Sequence, residues 1–267
     1  MEAARAAHSQ LRLRVFAGPN GSGKSTIIQS VREFASSGKQ IDFGSYINAD
    51  DIARDLANGS FNFEVYEISP AEADLYTFAE ASGLLNKKFT LEVLKSSISF
   101  NGDSFILTST QFLDYVAQLL ARFLREELLK AKKRFSFETV FSHESNLDIM
   151  KRAADMGYKV YLYFVSTESP IINEYRVELR KAKGGHDVPK DKISSRYYKS
   201  LNLLYEASKI AYQAFFFDNS VDNEPFRLVA HFKRTESGLQ WDESNEVPES
   251  AWFKKYYTEK AAADNKT

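Results

Sequence analysis

The chain has no cysteine. Disulfides, thiolate metal sites and cysteine nucleophiles are therefore excluded, and a reducing compartment is the natural fit. Charge of one sign is also lacking: 35 Lys plus Arg face 36 Asp plus Glu, for a formal net charge of -1. No global field draws such a chain onto nucleic acid or anionic lipid, so any basicity that binds phosphate has to be local. Histidine is scarce, four in all (His8, His143, His186, His231), and none is spaced as a metal site. Nothing approaches the roughly 18 uncharged apolar residues of a membrane span, and the amino terminus MEAARAAHSQLRLR lacks the apolar stretch of a secretory leader. These absences predict a cytoplasmic protein with neither nucleic acid nor membrane as partner.

The densest local signal is FAGPNGSGKST at residues 16–26. It follows LRLRVFAG (11–18), which alternates as a strand with Leu11, Leu13, Val15 and Ala17 on one face. KSTIIQSVREFASSG then spaces Ile27, Ile28, Val31, Phe34 and Ala35 as a helix that Gly38 would stop. Gly18, Gly23, Lys24 and Ser25 fit G-x-x-x-x-G-K-[ST] in the strand, loop, helix order the motif requires. Glycines let successive N–H groups turn inward, and the helix amino terminus adds partial positive charge. The loop Gly18, Pro19, Asn20, Gly21, Ser22, Gly23, Lys24, Ser25 and Thr26 is thus built for a nucleoside triphosphate. Lys24 is expected at the terminal phosphates and the Ser25 hydroxyl on Mg²⁺.

Further along, SYINADDIARD (45–55) ends a short apolar run in Asp50 and Asp51. They stand where α/β sheets keep their chemistry, or else cap the helix that follows. Residues 56–134 read as an insertion: a capping box at Ser69, Pro70 and Glu72, a hairpin about Asn101-Gly102, and an amphipathic helix over 110–133 with Phe112, Tyr115, Val116, Leu119 and Phe123 as core. RFSFETVFSHES (134–145) returns to a strand that ends near Glu138 and Thr139, and a buried Glu138 would need a partner or a ligand. A helix opens at Ser169-Pro170 and closes at Gly184-Gly185, with Arg176 and Arg180 on one face. From Glu174 to Lys199 eight Lys or Arg stand against four acids. Such a pair either clamps a transferring phosphoryl group or forms an ordinary solvated face. A long helix over 186–214, a core strand FFFDNS (215–220), an antiparallel strand at 225–234 and a frayed tail at 258–267 complete the chain. Asp218 is either a Mg²⁺-positioning acid of the Walker B type or a turn residue. The whole predicts one domain over 1–267, α/β, a three-layer fold with a mainly parallel sheet and a mostly helical insertion.

Taken in order, GPNGSGKST, INADDIAR, FSFETVFSHES, EYRVELRKAKGGHDVP, ISSRYYKSLNLL and FFFDNS resemble the zeta toxin-like P-loop kinases, in particular a GGHDVP subgroup of P-loop ATPases or kinases. The resemblance covers 16–55 and 134–220. It implies ATP or GTP with Mg²⁺ on the loop and transfer to a hydroxyl of a small-molecule acceptor, in zeta toxins an amino-sugar hydroxyl of UDP-N-acetylglucosamine. An antitoxin partner is implied as well. By position, Asp50 corresponds to the catalytic base and Arg176 to a lid arginine, with Arg180, His186 and Arg196 as candidates for the second. Glu138 corresponds to the acid on the acceptor side, where Thr139 and Asp51 are also expected. The alternative is an ATPase subunit or switch acting on a protein partner, but no Leu-Ser-Gly-Gly-Gln signature occurs in the sequence.

Overall fold

The alternating run near the amino end forms strand β1 (Arg12–Ala17), and both of its faces are covered, since Leu13, Val15, Phe16 and Ala17 are all buried. The computed structural model describes residues 10–36, 39–101, 104–184, 188–242 and 250–265. Two compact units emerge, one of Met1–Phe43 with Thr139–Thr267 and one of Gly44–Glu138. In the first, helix α1 (Lys24–Glu33) buries Ile27 and Ile28 as expected. It stops before Gly38, which lies outside the described residues. The Phe34 N–H closes on the Ser30 carbonyl, the backbone turns extended, and the Phe34 ring is 59% exposed. Ala35 and Ser36 then pair in a two-stranded ribbon, β2 (Ala35–Ser36) with β3 (Lys39–Gln40). Strand pairing satisfies backbone groups there, and serines offer a helix little.

The second unit begins with β4 (Ser45–Ile47), α2 (Ala49–Ala57), β5 (Phe61–Asn62) and a 3₁₀ turn at Phe63–Tyr66. It continues with α3 (Glu72–Ala81), α4 (Leu91–Ser97) and the hairpin β6 (Ile98–Asn101) and β7 (Ser104–Leu107). Helix α5 (Leu113–Lys130) and strand β8 (Phe135–Thr139) complete it. β4 and β8 run parallel, with Ile47 opposite Phe137; β5, β7 and β6 form a small antiparallel sheet. Of the aromatic residues expected as core on α5, Phe123 is buried, where Phe63 meets it edge-on, and Phe112 is half-buried. Tyr115 is the exception and is exposed. The expected capping box sits two residues late. Helix α3 starts at Glu72 after Ala71, and the Asp74 carboxylate accepts the Ala71 N–H at 3.1 Å. Ser69 and Pro70 precede the helix, because Asp74 reaches back to the free N–H and Glu72 does not.

The first unit resumes with α6 (Ser145–Asp155), β9 (Lys159–Ser166), α7 (Pro170–Ala182), α8 (Lys190–Asn202) and α9 (Leu204–Ile210). β10 (Gln213–Asp218), β11 (Arg227–Thr235), β12 (Gly238–Trp241), α10 (Ala251–Phe253) and α11 (Glu259–Asp264) follow. Its strand order is β12-β11-β10-β9-β1. β1, β9 and β10 are parallel, and β11 and β12 antiparallel. The architecture is therefore α/β, and the strands joined through helices, β1, β9 and β10, pair in parallel, as the alternation of strands and helices predicted. The helix expected over 186–214 is two helices, broken at Leu203, whose N–H closes a tight turn on the Ser200 carbonyl. Leu201, Leu204 and Ala207 are all buried. The tail is not frayed through Asn265. Tyr257 stacks on Phe253, and the Asp264 carboxylate accepts the Tyr205 hydroxyl and the Lys209 ammonium at 2.9 and 3.2 Å.

Candidate functional site

The loop between β1 and α1 is held open from outside. A Cβ at Gly18, where φ is +148°, would lie 2.1 Å from the Val165 carbonyl oxygen. At Gly23, where φ is +95°, it would lie 2.1 Å from the Asn219 amide nitrogen. The backbone contact at Gly18 leaves room for glycine alone, and at Gly23 the positive φ favours glycine while a Cβ would have to displace the Asn219 carboxamide. Lys24 is buried, and its Nζ donates to the Pro19 carbonyl at 3.0 Å, so the ammonium is folded back over the loop. The Ser22 hydroxyl and Asn20 Oδ1 are buried, with no hydrogen-bond partner among the described residues. Buried orphan polar atoms are uncommon in folded proteins, and they fit a loop shaped for a polar ligand. Ser25 and Thr26 are exposed at the start of α1, where a hydroxyl can reach a cation. Mg²⁺ keeps several waters and takes few protein ligands, which suits a single serine beside phosphates.

Two asparagines grip this loop. Asn173 on α7 is fully buried; its Nδ2 donates to the Asn20 carbonyl at 2.6 Å, and its Oδ1 accepts the Thr167 hydroxyl. Asn219, just past β10, donates from Nδ2 to the Ser22 carbonyl at 2.9 Å. Neither stands out in the sequence as a site residue, because a lone asparagine carries no spacing signal; FFFDNS alone marks the second. Arg176 donates from Nη1 to the Asn219 carbonyl at 2.6 Å and from Nε and Nη2 to Asp222. Arg176 and Arg180, with Leu179 and Lys183, line one hollow of about 380 Å³. The same-face prediction for these arginines is thus met on α7. Arg196 lies half-exposed on α8, and His186 falls outside the described residues.

Asp218 takes the structural option of the two open to it. Buried at the end of β10, it accepts the Ser220 N–H, the Ser250 hydroxyl and the Trp252 indole N–H. Burial pushes its carboxyl upward, but hydrogen bonds from Ser220, Trp252 and Ser250 outweigh that and hold it below its ordinary value.

In the second unit, Asn48 is the cap of α2, not Asp50 or Asp51: its Oδ1 accepts the Asp50 N–H at 2.9 Å. Both aspartates fall in the first turn, where the helix dipole favours them. Asp50 is exposed, and Asp51 pairs with Arg54 at 2.7 Å. Glu138 is half-buried at the end of β8. Its Oε2 accepts the Tyr46 hydroxyl at 3.2 Å and the Asn48 amide at 3.1 Å, so the paired option holds. Asn48 therefore links the carboxylate of Glu138 to the backbone of Asp50. Thr139, where the first unit resumes, donates to Asn146 Oδ1 and accepts the Phe141 N–H.

No protein-family model and no curated protein sequence matches the chain. Solved structures do. A chain of the AvrRxo1-ORF1:AvrRxo1-ORF2 complex with sulphate ions is similar at 14% identity and a TM-score of 0.52, over 88% of this chain and 62% of that one. A chain of the AvrRxo1-ORF1:-ORF2 complex with ATP gives 14% and 0.50, over 88% and 61%. A chain from the PezAT chromosomal toxin-antitoxin system of Streptococcus pneumoniae gives 15% and 0.45, over 97% and 86%. The chain thus spans less than two thirds of the AvrRxo1 chains it matches. At these identities the likeness is one of fold, the α/β arrangement of strands and helices described above.

Proposed function

We propose that the chain is a kinase that binds ATP, or GTP, with Mg²⁺ and transfers the γ-phosphoryl group to a hydroxyl of a small molecule, a nucleotide sugar such as UDP-N-acetylglucosamine being the leading acceptor. The observation that carries this reading is the braced loop, with its close contacts at Gly18 and Gly23, folded-back Lys24 and buried orphan atoms of Asn20 and Ser22. A similar fold solved with ATP supports the nucleotide. A similar chain solved in a two-component complex supports a protein partner, and an antitoxin is the partner proposed. Among the described residues no helix is long and apolar enough to cross a membrane, and a cytoplasmic location is part of the proposal.

When bound, Mg²⁺ would neutralise charge building on the transferring phosphate. Lys24 would neutralise the terminal phosphates, the loop amides would orient them, and Ser25 would hold the cation. Asp50 would accept the acceptor's proton, with Asp51, Glu138 and Thr139 on the acceptor side. Arg176 and Arg180 would stabilise the transferred group, with Arg196 and His186 in reserve along the same basic segment. Such a site works by positioning and charge.

The test is ADP release from Mg-ATP against a panel of acceptors including UDP-N-acetylglucosamine, with mass detection of product and Lys24→Ala as control. A product heavier by one phosphoryl group, absent in the control, is expected. ADP without any phosphorylated acceptor would sink the kinase reading in favour of an ATPase switch.

A further inference from the structure

Asparagine side chains meet the phosphate loop at two points, and both bonds run the same way: an amide donates to a loop carbonyl, Asn173 to Asn20 and Asn219 to Ser22. In a trans peptide the carbonyl and the following N–H point to opposite sides of the chain. No cis peptide occurs among the described residues. Tying the Asn20 carbonyl toward α7 therefore fixes the Gly21 N–H away from α7. Tying the Ser22 carbonyl toward the end of β10 likewise fixes the Gly23 N–H on the opposite side. Neither bond is incidental packing. Asn173 is fully buried, and Asn219 stands where any Cβ on Gly23 would strike it.

We propose that Asn173 and Asn219 are positioning residues of the phosphate loop, each holding one carbonyl outward so that the amide of the next glycine faces the bound phosphates. The proposal rests on the nucleotide reading above. Both anchors are themselves held. Thr167 fixes the Asn173 carboxamide, leaving its NH₂ to face the loop. Arg176 fixes the Asn219 backbone, and Asp222 fixes Arg176. The neighbours of Asn219 are anchored as well: Asp218 holds Ser250 and Trp252, and the Ser220 hydroxyl accepts the Glu168 N–H. Asp-Asn-Ser is a junction in which three consecutive residues hold the carboxyl-terminal helix, the phosphate loop and the turn before α7. Preorganised donors of this kind cost no rearrangement when the anion arrives, which is why their supporting contacts matter.

The experiment uses the full chain and two variants, Asn219→Asp, which keeps the shape and loses the donor, and Asn219→Ala, which loses the donor without adding charge. Affinity is measured by calorimetry for Mg-ATP and by NMR line broadening for adenosine, which has no phosphate. Either variant that folds, judged by its melting temperature, is expected to bind Mg-ATP about tenfold or more weakly, the loss of one buried hydrogen bond and its orientation. Adenosine binding is expected to change less than about twofold. Unchanged Mg-ATP affinity, or equal weakening of both ligands, overturns the positioning role and leaves the nucleotide reading standing. Failure of the unaltered chain to bind Mg-ATP overturns both.

Discussion

Arg176 lays two donors on a single oxygen of Asp222: Nε lies 2.8 Å and Nη2 2.6 Å from Oδ1. The arginine side chain is 17% exposed and the aspartate side chain 52%, so the aspartate stands at the solvent edge and the fork lies beneath it. Such a half-exposed pair contributes little to stability, about 1 kcal/mol at most, but it fixes the orientation of the guanidinium. Asp222→Ala is therefore expected to shift unfolding by no more than that while lowering turnover about tenfold. Arg176→Ala, which removes the charge itself, is expected to cost on the order of 10²-fold in kcat. Arg176→Lys should not rescue it, because an ammonium cannot span Asp222 and the Asn219 carbonyl together. Steady-state kinetics beside urea unfolding checks all three; equal turnover in Asp222→Ala and the unaltered chain would remove the orienting role.

Glycine substitutions separate backbone strain from close approach. Gly23 and Gly83 both have positive φ, +95° and +68°, but a Cβ at Gly83 meets nothing within 4 Å. Gly83→Ala is expected to cost about 1 kcal/mol, the conformational share alone. Gly23→Ala adds a collision with Asn219 and should cost more, roughly 2–3 kcal/mol, and abolish Mg-ATP binding. Paired urea titrations and calorimetry read both quantities, and similar losses at the two positions would refute the contact.

Asn48 has two jobs in one side chain, capping α2 through Oδ1 and donating to Glu138 through Nδ2. Asn48→Asp keeps the cap but turns a donor toward Glu138 into a second carboxylate. Asn48→Ala loses both and should cost about 1 kcal/mol of stability. Turnover is expected to fall further in the aspartate variant than in alanine despite its better cap, because like charges would displace Glu138. Comparing kcat and melting temperature across the two variants tests this; parallel changes in both readouts would reduce Asn48 to a cap.

The sequence made the phosphate loop, the paired arginines of α7 and the parallel sense of the strands legible, because each rests on local spacing: glycines at fixed offsets, a four-residue helical repeat, apolar runs separated by a helix. What it hid was long-range. Asn219 bonds Ser22 across 197 positions and Asn173 bonds Asn20 across 153, and neither leaves a periodic trace. Helix ends failed for a related reason. Asn48 took the cap that Asp50 and Asp51 seemed equally able to fill, and Phe34 left α1 for the turn into a ribbon. At both places the local preference is nearly balanced, and a contact elsewhere decides. Asp218 offers two readings in the sequence, and its late place in the chain favours the turn that the structure shows. A hydrophobic run ending in an acid matches a cation site, yet the Ser250 and Trp252 that occupy its carboxylate arrive from more than thirty positions downstream.

That carboxylate gives the chain a specific acid sensitivity. Folding lowers the pKa of Asp218, because the hydrogen bonds from Ser220, Trp252 and Ser250 outweigh its burial. The unfolded chain, with an ordinary carboxyl near about 3.9, therefore takes up the proton first as pH falls. The contribution is fully present above about pH 4 and is lost as pH drops through the folded value. In Asp218→Asn an NH₂ group or a weaker acceptor would face the Ser250 hydroxyl and the Trp252 indole, leaving donors buried and poorly paired. At neutral pH this should cost roughly 2–4 kcal/mol. Below about pH 4 the gap between the unaltered chain and the variant should narrow, since protonation of Asp218 produces a similar loss. Urea unfolding at pH 7 and pH 3, followed by tryptophan fluorescence because Trp252 is one of only two tryptophans, distinguishes this from simple packing damage. A gap of constant size at both pH values would show that the carboxylate's charge contributes nothing to holding the carboxyl-terminal helix against β10.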